Sequence, residues 1–310
     1  NCSDALSAIL FALPQGRLVT TDGHFTTGHY IHQEWARRTN SEVVRVPLDE
    51  QECVSTEVLV DSLTADTSIV SLSHAFYRNG YLLDIYAIAE AMMDICPEAA
   101  LLLDAYQTLG TVPLNVERLP VQTAVLGGGI KQLRCGPGVG FAWVSHLLLE
   151  RVKADRLGWW AHAEPLAFDQ EFRVGAGAAK LRTGTPALMP LVALVTELRV
   201  LGSSGDGDLQ SAIARARLVT ATQVQEAVEY AQTIGLQVQG PTTPDRRAAF
   251  FGIRVDGGNN IVAALEEDGV IVDFRPDEPG SESGLIRLSA NHASLGYELM
   301  FAVEQLRALV

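Results

Sequence analysis

Five short apolar runs recur in the first half of the chain, at 17–21, 42–47, 68–72, 101–103 and 121–126, and each ends in a polar or glycine-rich turn. Helical patterns lie between several of them, at 28–38, 56–63 and 84–95. Strand–helix alternation at roughly 25–30 residues per unit is the mark of βαβ crossovers and a parallel sheet. Runs this short and this apolar suit strands buried on both faces. The expected fold class is therefore α/β: a large unit with a mostly parallel sheet flanked by helices. In such sheets, functional residues collect where the strands end.

Two of those ends carry chemistry. The run 101–103 closes on Asp104, with Gln107 three residues on, and 121–126 closes on three glycines and then Lys131. A carboxylate and a lysine are thereby expected at one edge of one sheet, on consecutive strands. The pair suits pyridoxal phosphate: lysine condenses with the aldehyde, and a carboxylate keeps the pyridine nitrogen protonated so that the ring accepts electrons. Gln107 can donate to the ring's phenolic oxygen. Alone, an Asp at a strand end is usually a turn former or a cap, and a Lys in a glycine-rich loop is usually a solvated charge. The combination carries the reading.

The stretch 101–144 resembles the class V aminotransferase superfamily of fold-type I pyridoxal phosphate enzymes, and most of all kynureninase and kynureninase-like proteins. The likeness rests on Asp104-x-x-Gln107, on Lys131 and on the turn Gly136-Pro137-Gly138, and it extends over nearly the whole chain. It implies a pyridoxal 5'-phosphate enzyme, homodimeric with shared active sites, acting on a free α-amino acid. By the same resemblance Lys131 and Asp104 are catalytic, Lys131 serving as base at the substrate α-carbon. Cys2 and Ser3, which open a helical pattern, hold the cofactor phosphate with exposed N–H groups and a hydroxyl. In His24-Phe25-Thr26-Thr27, Phe25 stacks on the ring, and Ser73 supplies a further cofactor contact.

Trp159 and Thr185 would reach the neighbouring subunit's cofactor. Two adjacent tryptophans in a glycine-containing loop, Trp159 and Trp160, are in any case costly to leave exposed and mark an interface or a ligand wall. Arg287 would grip the substrate α-carboxylate, for which the guanidinium fork is suited, and Arg275 is a weaker candidate. Two departures matter. Ile130 stands before the lysine where kynureninase has a Tyr, which puts hydrolysis at the β-carbon of kynurenine in doubt. The loop 277–284 has no Cys, where cysteine desulfurases and selenocysteine lyases carry one. Kynureninase-like hydrolase or lyase chemistry at the β-carbon leads, with class V transamination or C–S lysis as alternatives. A non-catalytic scaffold is the alternative of another kind, and retention of Asp104 and Lys131 speaks against it.

The 310 residues suffice for two units. The expected division is 1–190, a large cofactor-binding unit, and 191–310, a smaller α+β unit that includes the connecting helix. That helix runs from Pro186 through 200, and the glycine-rich loop 202–208 is a candidate hinge. Beyond it, elements are expected at 211–217, 221–234, 248–255, 261–268, 270–274, 285–290 and 295–309. A formal charge of −14 argues against nucleic acid and anionic membranes as partners, and no apolar run approaches the roughly 20 residues of a membrane helix. Cys2, Cys53, Cys96 and Cys135 lack CxxC spacing, so reduced thiols and a cytoplasmic setting are expected. His24, His29 and His32 have no carboxylate or thiol at ligand spacing, so no metal is expected. The glycines of 136–140 precede a strand, 139–144, rather than a helix, which excludes a nucleotide loop; that strand is expected to be buried. Because the chain begins at Asn1, almost inside the expected site, an N-terminal arm is expected to be missing.

Overall fold

The computed structural model describes residues 1–120, 122–153 and 156–310; the expected strand start at Val121 lies outside them. The first part of the chain runs α1 (Cys2–Leu10), β1 (Arg17–Thr21), α2 (Thr26–Thr39), β2 (Glu42–Val46), α3 (Thr56–Asp61), β3 (Thr67–Ser73), α4 (Ile85–Ile95), β4 (Ala100–Asp104), β5 (Thr123–Gly128), β6 (Gly140–Val144) and α5 (His146–Arg151). The strands form one sheet in the order β2-β1-β3-β4-β5-β6, parallel throughout except for the β5–β6 pair.

The apolar runs are continuous because both faces of the sheet are covered. Val70, Leu72, Leu101 and Leu103 pack toward α3 and α4, whereas Ile69, Leu102, Ala124 and Leu126 pack toward α1 and Trp35 of α2. Truncating a fully buried side chain such as Leu102 to Ala costs about 2–5 kcal/mol. Local chemistry sets the helix starts. Asp84 accepts the Ala87 N–H at the head of α4, whose buried residues Ile85, Ile88, Ala89 and Met92 recur on one face.

β6 departs from expectation. It is an antiparallel edge strand, and Phe141 and Trp143 are exposed rather than buried. An apolar strand pattern reads the same whether the chain covers it or a second molecule does.

The remainder runs α6 (Leu188–Ser203), α7 (Leu209–Thr233), β7 (Val238–Gln239), β8 (Phe250–Val255), α8 (Gly258–Glu267), β9 (Asp273–Pro276), β10 (Gly284–Ser289) and α9 (Gly296–Leu309). Its strands form an antiparallel sheet, β7-β8-β10-β9, whose core includes Val224, Val228, Phe251, Ile286 and Val303. The segments expected at 211–217 and 221–234 are one helix, α7. Asp208 caps its start by accepting from the Gln210 and Ser211 amides, and nothing between Leu218 and Thr220 breaks it. The element expected at 270–274 is the strand β9, which begins at Asp273. Among the described residues, no helix is long and apolar enough to cross a membrane.

Candidate active site

Register places the first components. Ser73 and Asp104 end β3 and β4 and stand beside Leu126, two residues before the end of β5. β5 closes on Gly127 and Gly128, and the chain bends at Gly129. A Cβ on Gly128 would lie 2.3 Å from the Tyr106 ring, and one on Gly129 would lie 1.7 Å from Cys135 Sγ. Only glycine allows this approach, and it delivers Lys131 to the same sheet edge as Asp104. There a cavity of about 310 Å³ opens, bordered by Cys2, Ser3, Phe25, Ser73, Asp104, Gln107, Lys131 and Arg287.

Asp104 Oδ1 accepts the Tyr106 N–H at 2.9 Å. Burial pushes this carboxyl up to about 6, with the Tyr106 N–H pulling the other way. A cation beside it would relieve that cost. Lys131 is held below its ordinary value by burial first and then by the Arg287 and Arg275 cations, against Asp273. The neutral, nucleophilic amine is thereby more accessible than in a solvated lysine. The Cys2 thiol lies 4.0 Å from Asp104 Oδ1; burial and that carboxylate both push its pKa up, so it stays a neutral thiol.

At the head of α1, Asn1 Oδ1 takes the Asp4 amide at 3.0 Å. Among the described residues, the Cys2 and Ser3 amides have no acceptor, so they are available to an anion at the positive end of the helix. Phe25 is 41% exposed on the cavity wall, and its ring stands perpendicular to that of Tyr77 at 5.2 Å. That exposed aromatic surface is available to a planar partner.

The remaining sequence-predicted residues lie elsewhere. Trp159 stacks on Phe168 at 6.3 Å and borders a separate groove with Phe172. Thr185 is exposed. Within one chain neither reaches the cavity. Three wall or supporting residues were not anticipated: Tyr77, Tyr106 and Asp273. Tyr106 lies inside the Asp104-x-x-Gln107 element and could have been flagged. Asp273 carried no signal, because it follows the apolar run 270–272. Asp273 accepts hydrogen bonds from both Arg275 and Arg287.

The donor set fits pyridoxal phosphate: a buried carboxylate for a ring cation, an amine for the aldehyde, free helix amides for a phosphate and an open aromatic face. The fold is that of the pyridoxal phosphate-dependent enzymes of fold type I. The profile of the family described as aminotransferase class-V matches residues 3–285, and the chain belongs to that family.

Among its relatives, a kynureninase of Deinococcus radiodurans is 28% identical over 281 residues, covering 89% of this chain and 65% of that protein. A kynureninase of Pseudomonas fluorescens is 25% identical, covering 84% of this chain and 61% of that protein. The chain thus spans slightly less than two thirds of these kynureninases. An uncharacterized aminotransferase of Bacillus subtilis, YcbU, is 27% identical over 99% of this chain and 77% of its own length. Among solved structures, a cysteine desulfurase from Thermococcus onnurineus NA1 superposes with TM-score 0.86 at 15% identity, covering all of this chain and 78% of that one. The cystine C-S lyase C-DES gives TM-score 0.85 at 20% identity, covering 99% and 80% respectively. These two share the fold.

Proposed function

We propose that this chain is the catalytic body of an enzyme acting on a free α-amino acid, with kynureninase-like chemistry at the β-carbon. The observation that carries the reading is the meeting of Asp104, Lys131 and Arg287 in one cavity. When bound, the cofactor supplies an electron sink for a carbanion at the substrate α-carbon. Lys131 would hold the aldehyde, and its amine would be the base for the substrate's α-proton. Asp104 would pair with the ring nitrogen and Gln107 with the phenolic oxygen. The Cys2 and Ser3 amides and the Ser3 hydroxyl meet the phosphate, with Ser73 alongside. Phe25 would stack on the ring, and Arg287 would take the substrate carboxylate.

One wall residue favours a second reading. Ile130 is 44% exposed beside Lys131 and has no proton to give, which suits class V transamination, since that needs little beyond the lysine and a second substrate. C–S lysis without a protein thiol is the remaining chemical alternative, and a non-catalytic scaffold the remaining alternative of another kind. The organisation proposed is a cofactor-binding unit, 1–190, and a smaller unit, 191–310. The exposed apolar side chains of Phe141, Trp143, Trp159, Phe168 and Met189 support a homodimer in which Trp159 and Thr185 complete the partner's site. The four free cysteines support a cytoplasmic setting.

The deciding experiment is borohydride reduction of the yellow, cofactor-loaded protein followed by peptide mapping, with the label expected on Lys131. A colourless protein that takes up no added pyridoxal phosphate would overturn the enzymatic reading and point to the scaffold. Incubation with kynurenine and 3-hydroxykynurenine, assayed for cleavage products and for keto acids, separates hydrolysis from transamination.

A further inference from the structure

We propose that Arg78, which does not border the cavity, is the positioning residue for the two arginines that do. Its guanidinium has five N–H donors, and all five are used. Nε and Nη2 grip Glu52 at 2.7 and 3.1 Å, and Nη2 also donates to Asp277 Oδ1 at 2.7 Å. Nη1 donates to the main-chain carbonyls of Arg275 at 3.3 Å and Pro276 at 2.6 Å. Glu52 belongs to the loop after β2, and Asp277 follows β9. One side chain therefore stitches the loops of the first sheet to the edge strand that presents Arg275.

The preceding residue holds the other arginine. The Tyr77 carbonyl accepts from Arg287 Nη1 at 2.7 Å, and the Tyr77 ring lies 5.9 Å from the Arg275 guanidinium and 5.2 Å from Phe25. A shift of the Tyr77-Arg78 backbone would move both cations. Arg254 closes the arrangement, donating to Asp277 Oδ2 at 2.8 Å and to Glu52 Oε1 at 3.3 Å. Two arginines and two carboxylates then alternate, so their charges cancel and the cluster adds little field to the cavity. Its effect on the site is geometric. At 16% side-chain exposure, Arg78 is also weakly screened.

The proposal rests on the reading that Arg287 and Arg275 meet a substrate carboxylate. Its test uses the cofactor-loaded full chain and two probes, L-phenylalanine and 2-phenylethylamine, which differ only in the carboxylate. Dissociation constants are taken from the cofactor's spectral shift and from calorimetry. The parent should bind the amino acid at least about tenfold more tightly than the amine, as expected for a charged hydrogen bond. Arg78→Met should collapse that ratio, and Arg78→Lys should lie between, because an ammonium cannot reach all five acceptors. Glu52→Gln and Asp277→Asn preserve side-chain size and should lower the ratio in the same direction. They also keep the proposal testable if Arg78→Met fails to fold. Ratios unchanged in the variants, or both probes weakened by one factor, would overturn the positioning role while leaving the carboxylate clamp intact. A parent ratio near one would overturn the clamp, and the proposal with it.

Discussion

Arg287 Nη2 and Asp273 Oδ2 lie 2.6 Å apart, so a carboxylate from β9 already takes one prong of the fork that the cavity presents. Arg275 binds the same oxygen at 2.5 Å. Two guanidiniums sharing one carboxylate leave a single net positive charge, which would match the single carboxylate of the proposed substrate. Asp273 also fixes the rotamer of a long side chain, lowering the ordering cost of binding.

The first prediction concerns this fork. Arg287→Lys keeps the charge but loses the planar two-pronged geometry, so amino-acid binding should weaken by about 1.5–3 kcal/mol, the range for charged hydrogen bonds. The absorbance of the bound cofactor should not change, because the proposed contact is with substrate alone. Titration of responsive amino acids measures both. If Arg287→Lys binds them as tightly as the parent, Arg275 becomes the better anchor.

A second prediction follows from Asp104, which titrates at about 6 in the cofactor-free protein. Opposing a ring cation requires the ionised form. Cofactor binding must therefore release the proton that Asp104 carries below that pH. Affinity should fall on acidification through pH 6, approaching about tenfold per pH unit, the limit for one linked proton. Other groups titrate on the cofactor, so the informative quantity is the difference from Asp104→Asn. That variant should bind more weakly above pH 6, and the difference should shrink below it. A difference constant from pH 5 to 8 would mean that Asp104 does not face a cation.

The third prediction concerns stability. His24 and His74 are fully buried and held down to about 4 by burial. His29 is also held down to about 4, by burial and then by His24 and Arg45, against Asp22. His32 is buried, bonded to Ser71 Oγ at 2.9 Å, and held well below its ordinary value. In each case the folded pKa lies below the unfolded one, so the unfolded chain binds more protons as pH falls from 6.5 toward 4. Stability should decline across that window. His292 is lowered as well, by burial first; Asp104, raised in the fold, works in the opposite direction but is one group against these five. Thermal unfolding of the cofactor-free protein should show its midpoint dropping between pH 6.5 and 4.5. His32→Gln, which removes one of the buried bases, should flatten that drop.

The parallel strands and the Asp104–Lys131 pair were legible because a sheet covered on both faces writes itself as uninterrupted apolar runs, and because strand ends are where such sheets place chemistry. The arginine pair at the cavity was legible only in part. Arg287 stood out by resemblance, whereas its supports come from far along the chain: Arg78 and Asp277 are 199 residues apart, and no local pattern encodes their meeting. Asp273 was missed because a single carboxylate at the end of an apolar run resembles a strand terminus rather than a brace. The exposure of β6 was illegible for a different reason. Phe141 and Trp143 satisfy a burial pattern that the chain itself does not complete.

The last prediction takes up that unfinished surface. Trp159 is 42% exposed, stacked on Phe168, and Trp143, Phe168 and Met189 are exposed as well; exposed apolar side chains of this size are candidates for an interaction site. If a second copy covers it, Trp159 and Thr185, which reach no cavity in their own chain, become available to the neighbour's. Two inactive variants test this, one carrying Lys131→Ala and the other Trp159→Ala with Thr185→Ala. Mixed after mild dissociation, they should form hybrids with one intact site per dimer. Activity should then recover to about a quarter of the parent's for random pairing, since half of the dimers are hybrid and each retains one of two sites. Light scattering of the cofactor-saturated protein should give twice the chain mass. A monomer under those conditions, or mixtures that stay inactive although hybrids form, would rule out a site completed across the interface.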